Sequence, residues 1–599
     1  MKRNSRNIQQ RGCLLHAFGW FLLYTALRVF ECPIESSSSS AILYLERRPP
    51  ELPYPNNNST CSTLLQHSSA LALWTQHISQ IVSASRLPPD RDFVLRNKVT
   101  ELLRLVTPRL PLSQSTMTRQ WSTLERLQHK LERGEEISIV VLGGSVTMGV
   151  NCFTVKTQMR NCAWPYRLEQ FLQQMGLKTV KVYNFAIAGS NTATGTALLS
   201  FLSDYYILPQ PPDIIINAYA TNDMHVQSIL QAQSSNRTLH ELVFDMSQEF
   251  VRAALSCGQP PLLIWVDDYL GNEQPEILAT TALTQSIHVL SQYYGFSFLS
   301  YANLARDLVY GDTHESVFSP GKWYTSSSSS QTKMQREIHP SQSMHMVTAW
   351  LVAYHFLVLT TQTCTLESWQ VHDYERTLNY HDHSIPPGLS PLETDESRFP
   401  RWPKMPRPVP SNRLPPKLTP DLTLEQVTDL WRSNETKSSS ACSTKCPFVW
   451  VSGLSLHHPP LSAKAEYRAI QSLFQKVLVS SSWTLMDDTK RGDKLGWMPD
   501  SLGSKMVLQL PTTAPTQMTL FYLKSYGPKW EHSTVQVSME SMEGPHSFSL
   551  TGFHDKKTSE MYIHTVEPGT YSKMTVKLVQ GTTFKLMGVA MCHDENKQY

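Results

Sequence analysis

Residues 137–151 read ISIVVLGGSVTMGVN. From Ile137 to Leu142 the residues are β-branched or apolar with one small polar residue among them, and Gly143, Gly144 and Ser145 follow at once. That is the pattern of a buried strand ending in a tight turn. A serine at the carboxyl end of a parallel strand stands where open α/β sheets place their ligands, because strand ends and helix N-termini converge there. Ser145 is therefore the first candidate nucleophile.

A serine hydroxyl attacks poorly until a base takes its proton and hydrogen-bond donors await the oxyanion. Candidates for both lie downstream. NFAIAGSNT (Asn184 to Thr192) follows a second strand pattern, Val180 to Ala186, and brings Gly189 to its end. DIIINAYATND (Asp213 to Asp223) is a third strand running into a turn that carries Asn222. IHPSQSMH (Ile338 to His345) places His339 and Pro340 just before an apolar, helix-like run, Met346 to Leu359.

These four blocks, in this order, resemble the SGNH (GDSL-type) hydrolases, and the Gly144–Ser145 pair resembles their GGS-containing subgroup. The resemblance spans roughly residues 130 to 360 and implies a doubly wound parallel-sheet α/β domain. It also implies roles. Ser145 is the nucleophile and, through its N–H, an oxyanion donor; Gly189 N–H and the Asn222 side-chain amide are further donors; His339 is the general base. Three positions depart from the family pattern: Gly144 replaces the usual aspartate, Ala220 the third block's glycine, and Arg336 the triad aspartate three residues before His339. Glu337, Asp312 or a backbone carbonyl are the substitutes for that acid, whereas an arginine facing the imidazole would lower its basicity. Loss of a triad acid can cost about 10⁴-fold in rate with geometry intact.

The chain has 599 residues, enough for two or three folded units, and its formal net charge of +3 with no long basic run gives nucleic-acid binding no support. Basic residues Lys2, Arg3, Arg6 and Arg11 precede an apolar run, Cys13 to Leu27, the mark of a secretory-pathway segment. It reads as a signal-anchor with a cytoplasmic N-terminus, since no small-x-small cleavage site lies directly behind it, or as a cleaved signal peptide. The protein is then a single-pass membrane protein with a lumenal or extracellular catalytic part, or secreted. Asn57, Asn58, Asn236 and Asn434 head glycosylation triplets. Of ten cysteines, Cys152 and Cys162 flank the loop after Ser145, where a bridge would contribute about 3 kcal/mol. Further pairing is open, and no Cys-x-x-Cys pairs suggest zinc; neither metal nor cofactor is expected.

The expected organisation is a tail and apolar segment over 1–31, a low-complexity stalk over 32–60 and a helical extension over 61–130. The SGNH-like domain follows over 131–365, a proline-rich linker over 366–440 and a β-sandwich-like domain over 441–599. Within the extension, apolar residues recur at helical spacing over 64–82 and 94–106, and 121–136 form another amphipathic helix. Strands near 137–142, 180–186, 213–218 and 262–266 alternate with helices near 164–175, 192–203 and 240–256. An insert with a serine run, Thr325 to Ser330, precedes His339 and is expected to act as a lid. Beyond the linker, six segments between Lys505 and Met591 alternate with period two. GWMPD (Gly496 to Asp500) and YLKSYG (Tyr522 to Gly527) weakly resemble a module found behind GGS-type domains, with Trp497 or Trp530 as exposed aromatics for sugar rings.

His345 reads as a helix-surface or core residue, His381 to His383 as a solvated cluster and Arg491 to Asp493 as a chance RGD. Asp267 and Asp268 end a strand, for substrate contact or solvation alike. The expected function is a serine esterase or O-acyltransferase acting on acyl esters, with a glycan preferred as substrate. The alternatives are a non-catalytic glycan- or partner-binding protein, which Arg336 favours, and a lipid-directed esterase.

Overall fold

The computed structural model describes residues 74, 103, 105–115, 120–150, 152, 159–202, 208, 210–256, 259–268, 277–310, 324–325, 335–336, 339, 344–361, 414–419, 423, 425–426, 429, 444–454, 463–488, 494–510, 516–541 and 544–594. The N-terminal apolar run, the stalk, the serine run, the His381–His383 cluster, the RGD triplet and the triplets at Asn57, Asn58 and Asn434 lie outside them. Asn236 lies within them, exposed in a left-handed turn (φ 52°) between the helices Val226–Ser234 and Leu239–Leu255.

A short β1 (Gln114–Ser115) precedes five parallel strands: β2 (Ile137–Gly143), β3 (Val180–Asn184), β4 (Ile214–Ala218), β5 (Leu262–Asp267) and β6 (Ser297–Ser300). The sheet order is β1-β6-β5-β4-β2-β3, with β1 antiparallel to β6. The chain winds outward from β2 in both directions, so the carboxyl ends of β2 and β4 sit at the switch point where such sheets bind ligands. All seven residues of β2 are buried because helices cover both faces. Ile137, Ile139 and Val141 point into one core, and Val140 and Leu142 into the other. The fifth strand and the helix Ile277–Tyr294 before it carried no distinct alternation in the sequence and extend the expected four-strand pattern.

The first core takes in the helices Trp121–Glu132, Trp164–Gln174 and Met344–Thr361, and Trp74, Leu103, Val106 and Leu110 from earlier in the N-terminal extension. Trp74 meets Trp350 with ring centroids 4.0 Å apart, and Phe171 approaches the same indole from 5.0 Å. Met344–Thr361 is long and apolar enough to cross a membrane, yet 89% of that stretch is buried, as befits a core helix.

A two-stranded ribbon, β7 (Tyr324–Thr325) with β8 (Gln335–Arg336), follows the α/β sheet in sequence. The all-β part then begins with β9 (Thr444–Val451). One of its sheets runs β10 (Leu478–Ser481), β13 (Lys505–Gln509), β18 (Tyr571–Gln580), β15 (Thr534–Ser541), β16 (His546–Thr551). The other runs β11 (Trp483–Asp487), β12 (Leu495–Pro499), β19 (Leu586–Asp594), β14 (Thr516–Lys524), β17 (Glu560–Gly569), with β9 added on β19. Alternate residues such as Val535, Val537 and Met539 fill the space between the sheets. Trp497 and Trp530 are 7% and 5% exposed, which corrects the expectation that they present faces to sugars: both are core residues. Disulfides join Cys152 to Cys162, as expected, and Cys446 on β9 to Cys592 on β19.

The two parts share a core. Phe201 on the helix Thr192–Leu202 packs edge-on against Phe521 of β14, with centroids 6.1 Å apart, among Leu198, Leu523 and Met561. The Arg160 guanidinium donates to the carbonyls of Asn184 (2.9 Å) and Ala186 (3.0 Å) on one side and Gly453 (2.6 Å) on the other. Residues 414–419, in the proline-rich stretch, lie along two helices: from Leu239–Leu255, Arg252 donates to Pro415 O and Gln248 exchanges hydrogen bonds with both backbone groups of Leu418, and from Ile277–Tyr294 the Tyr293 hydroxyl donates to Pro416 O (3.0 Å). A continuous apolar interface predicts that the α/β and β parts unfold in one calorimetric transition. Phe521→Ala should lower stability by about 3–5 kcal/mol and melt both parts together; two separated transitions in the parent protein would show independent parts.

Candidate active site

The turn after β2 is set by two glycines. A Cβ at Gly143 would fall 2.7 Å from the Ala218 carbonyl, and one at Gly144 would overlap the Asn222 side-chain amide. Ser145–Met148 then form a single helical turn, which Gly149, at φ 96°, closes by donating its N–H to the Ser145 and Val146 carbonyls. Neighbouring strands hold the turn. Thr147 Oγ1 donates to the Ala218 carbonyl at the end of β4 (3.1 Å), and Asn184 Nδ2, at the end of β3, donates to the Thr147 carbonyl (3.1 Å).

Ser145 Oγ lies 2.8 Å from His339 Nε2, and both residues are half-buried. Asn222 sits in the helical turn Ala220–Asp223 with its amide against the Gly144 backbone. The chain beyond β3 stays beside β2, with Ile187 N–H donating to the Gly143 carbonyl (2.9 Å), and reaches Gly189 at φ 76°. Three of the expected side chains and one loop glycine are thus gathered around the end of β2. Arg336, at the position of the missing acid, has its backbone paired with Tyr324 in the short ribbon. Glu337 and Asp312, the candidate acids, lie outside the described residues.

Several supporting residues carried no motif in the sequence. Asp223, one residue after Asn222, accepts from Thr192 N–H (2.8 Å) and Thr192 Oγ1 (2.7 Å), which ties the Asn222 turn to the loop of Gly189. Asp268 accepts from Thr221 N–H (3.1 Å) and Thr221 Oγ1 (2.9 Å), which holds the same turn from β5. Asp267 accepts from Thr284 Oγ1 (2.9 Å). Both Asp267 and Asp268 are buried, so neither awaits solvent as one reading had it. Burial pushes the Asp223 carboxyl up to about 7 against the two Thr192 hydrogen bonds, and burial pushes Asp268 up to about 7, with Asp267 and Asp223 adding to it. His345 is wholly buried in the core; burial, then Arg167 and His339, holds its imidazole down to about 3.

From the sequence, no signal would have found His225 or Glu560. Glu560, at the start of β17, is 2% exposed in its side chain and pairs with His225 Nδ1 across the two parts of the molecule. Next to it, Met561 N–H donates to the Gly189 carbonyl (2.7 Å).

Gly144→Ala should fold but displace the Asn222 amide, with a loss of about 100-fold in esterase turnover if that amide is an oxyanion donor; parent-like turnover would remove Asn222 from that role. The buried carboxyls make a second prediction. Asp268 binds its proton more tightly folded than unfolded, so the stability this gives is complete below its ordinary 3.8 and is lost as pH rises through about 7. The melting temperature should fall between about pH 4 and pH 7, and Asp268→Asn should flatten that fall. A slope unchanged by the substitution would mean that the carboxyl is ionised throughout.

No curated protein sequence matches the chain. Among solved structures, the fold is similar to a two-domain esterase (CEX) active on acetylated mannans, at 13% identity and a TM-score of 0.42, covering 80% of this chain and 98% of that one. It is also similar to a catalytic mutant of Axe2, an acetylxylan esterase from Geobacillus stearothermophilus, at 14% identity and a TM-score of 0.27, covering 38% and 95%. The C-terminal CBM6 of LamC from Zobellia galactanivorans is similar at 14% identity and a TM-score of 0.14, covering 19% and 93%. Similarity at this level carries no assignment of substrate. Residues 139–350, most of the α/β part, match the model of the GDSL-like lipase/acylhydrolase family.

Proposed function

We propose that this protein is a serine ester hydrolase or O-acyltransferase, with Ser145 as nucleophile and His339 as general base. The observation that carries the reading is the 2.8 Å approach of His339 Nε2 to Ser145 Oγ at the end of β2. Ser145 Oγ attacks the ester carbonyl carbon and its proton passes to His339 Nε2. The carbonyl oxygen becomes an oxyanion received by the N–H groups of Ser145 and Gly189 and by the Asn222 amide. Collapse expels the alcohol, which takes the proton from His339, and leaves an acyl-Ser145 ester. Water activated by the same imidazole releases the acid; a sugar hydroxyl in its place receives the acyl group.

A short acyl ester on a glycan is the substrate class we favour. The support is the setting: two disulfides, an exposed glycosylation triplet at Asn236 and a secretory-type N-terminal segment fit a secreted or lumenal protein, and glycans are abundant there.

The test is p-nitrophenyl acetate turnover beside labelling by a fluorophosphonate probe, on the parent and on Ser145→Ala. The parent should turn over and label, and the alanine form should do neither, with turnover reduced at least about 10³-fold. His339→Ala should lose a similar factor while retaining the fold. If the parent neither turns over nor labels, the arginine at the acid position has disabled the pair, and binding to glycan arrays becomes the measure of what the site does.

A further inference from the structure

The tripeptide Ser559–Glu560–Met561 of the β part touches both carriers of the proposed oxyanion donors. Met561 N–H donates to the Gly189 carbonyl at 2.7 Å. At φ 76°, Gly189 leaves the space on its Cα that a side chain would fill, and that space holds the other chain: a Cβ there would fall 2.7 Å from Ser559 O and 3.0 Å from Glu560 Cα. Both are backbone atoms that cannot swing aside. Glu560 then reaches His225 with its carboxylate. His225 N–H donates to the Asn222 carbonyl at 3.0 Å, closing the turn that carries the amide.

Glu560 is an expensive residue to keep in this place. Its side chain is 2% exposed, Oε1 takes His225 and a long contact from Thr558 Oγ1 (3.4 Å), and Oε2 is buried with no hydrogen-bond partner among the described residues. A carboxylate so placed costs several kcal/mol unless paired, and a docking contact alone would be served as well by an apolar residue. An ion pair fixes direction where apolar packing does not. From this we infer that Glu560 is a positioning residue for the active site: through His225 and the adjoining Met561 N–H it sets the Asn222 turn and the Gly189 loop at the spacing the oxyanion requires. The second part of the chain is in this sense a component of the catalytic unit.

The inference rests on the esterase reading and deepens it, and the experiment separates the two. Full-length Glu560→Ala, Glu560→Gln, His225→Ala and the Glu560→Ala/His225→Ala double variant are compared with the parent for kcat and KM on p-nitrophenyl acetate, Ser145 labelling and melting temperature. Phe521→Leu, at the same interface but away from the pair, serves as the control for docking stability. Glu560→Ala and His225→Ala should each lower kcat about 10- to 100-fold with KM within about threefold, since misplaced donors cost rate more than binding. Glu560→Gln, which can still accept from Nδ1, should recover most of the loss, and the double variant should be no worse than the poorer single one. Phe521→Leu should lower the melting temperature and leave kcat unchanged.

Parent-like kcat in both Glu560→Ala and His225→Ala, or a kcat loss in Phe521→Leu as large as theirs, overturns the inference while the esterase reading stands. If Glu560→Ala does not fold, the partly exposed His225 carries the test through His225→Ala. A parent that neither turns over nor labels takes down the esterase reading, and this inference with it.

Discussion

Strand β2 is hydrogen-bonded along both edges by parallel neighbours, β3 and β4, and everything at the site depends on that pairing. In register, Gly143 lies opposite Ala218 and Val141 opposite Asn184, so three chain segments leave the sheet side by side. One carries Ser145, one carries Gly189 and one carries Asn222. A parallel strand with both faces covered must be apolar throughout, and β2 is buried over its whole length. The same requirement leaves the polar work to the residues just past its end. Ser145 stands beside His339 because of where the strand stops.

The loops at that point pack Met148, Val150, Ala186 and Ala188 into a small apolar cluster, and polar ties fix their direction. Thr147 reaches β4, Asn184 reaches back to the nucleophile turn, Asp223 binds the first residue of the helix Thr192–Leu202, and Asp268 holds Thr221. Three of these ties are buried and that of Asn184 is partly so; all are directional, which suits a site that holds hydrogen-bond donors in fixed positions. The cost is visible in two carboxyls whose proton affinity is pushed well above the ordinary range. The α/β part alone does not supply all of the ties, for the Gly189 carbonyl is bound by Met561 of the β part.

Period and order made much of this readable from the sequence. Uninterrupted β-branched runs ending in Gly-Gly-Ser or Asn located β2 and β4 to within a residue, and the four ordered blocks located the side chains that the fold gathers. Alternation found the longer strands of the sandwich, such as β14, β15 and β18, but not β9, β11 or β12, where proline, glycine and polar residues interrupt the pattern. Trp497, in a short strand, and Trp530, in a turn, were misjudged because nothing local in the sequence tells a tryptophan that faces solvent from one that faces the core. Asp223, His225 and Glu560, and the bond that Asp268 makes at its strand end, were invisible for a stronger reason. Their partners lie 31, 47 and 335 residues away, and no local spacing encodes such contacts.

The passage of Ser559 and Glu560 over Gly189 also has a meaning in time. The ribosome makes Gly189 about 370 residues before it makes Glu560, an interval of roughly 20 to 75 seconds at ordinary elongation rates. During that interval the parallel sheet can form, but the loop of Gly189 lacks its outer neighbour. Cys446 likewise waits for Cys592 on the last strand. Ser145 and His339 are thus made early and the surroundings of Gly189 are completed late, so that a nascent or truncated chain holds the pair without the full cradle around it.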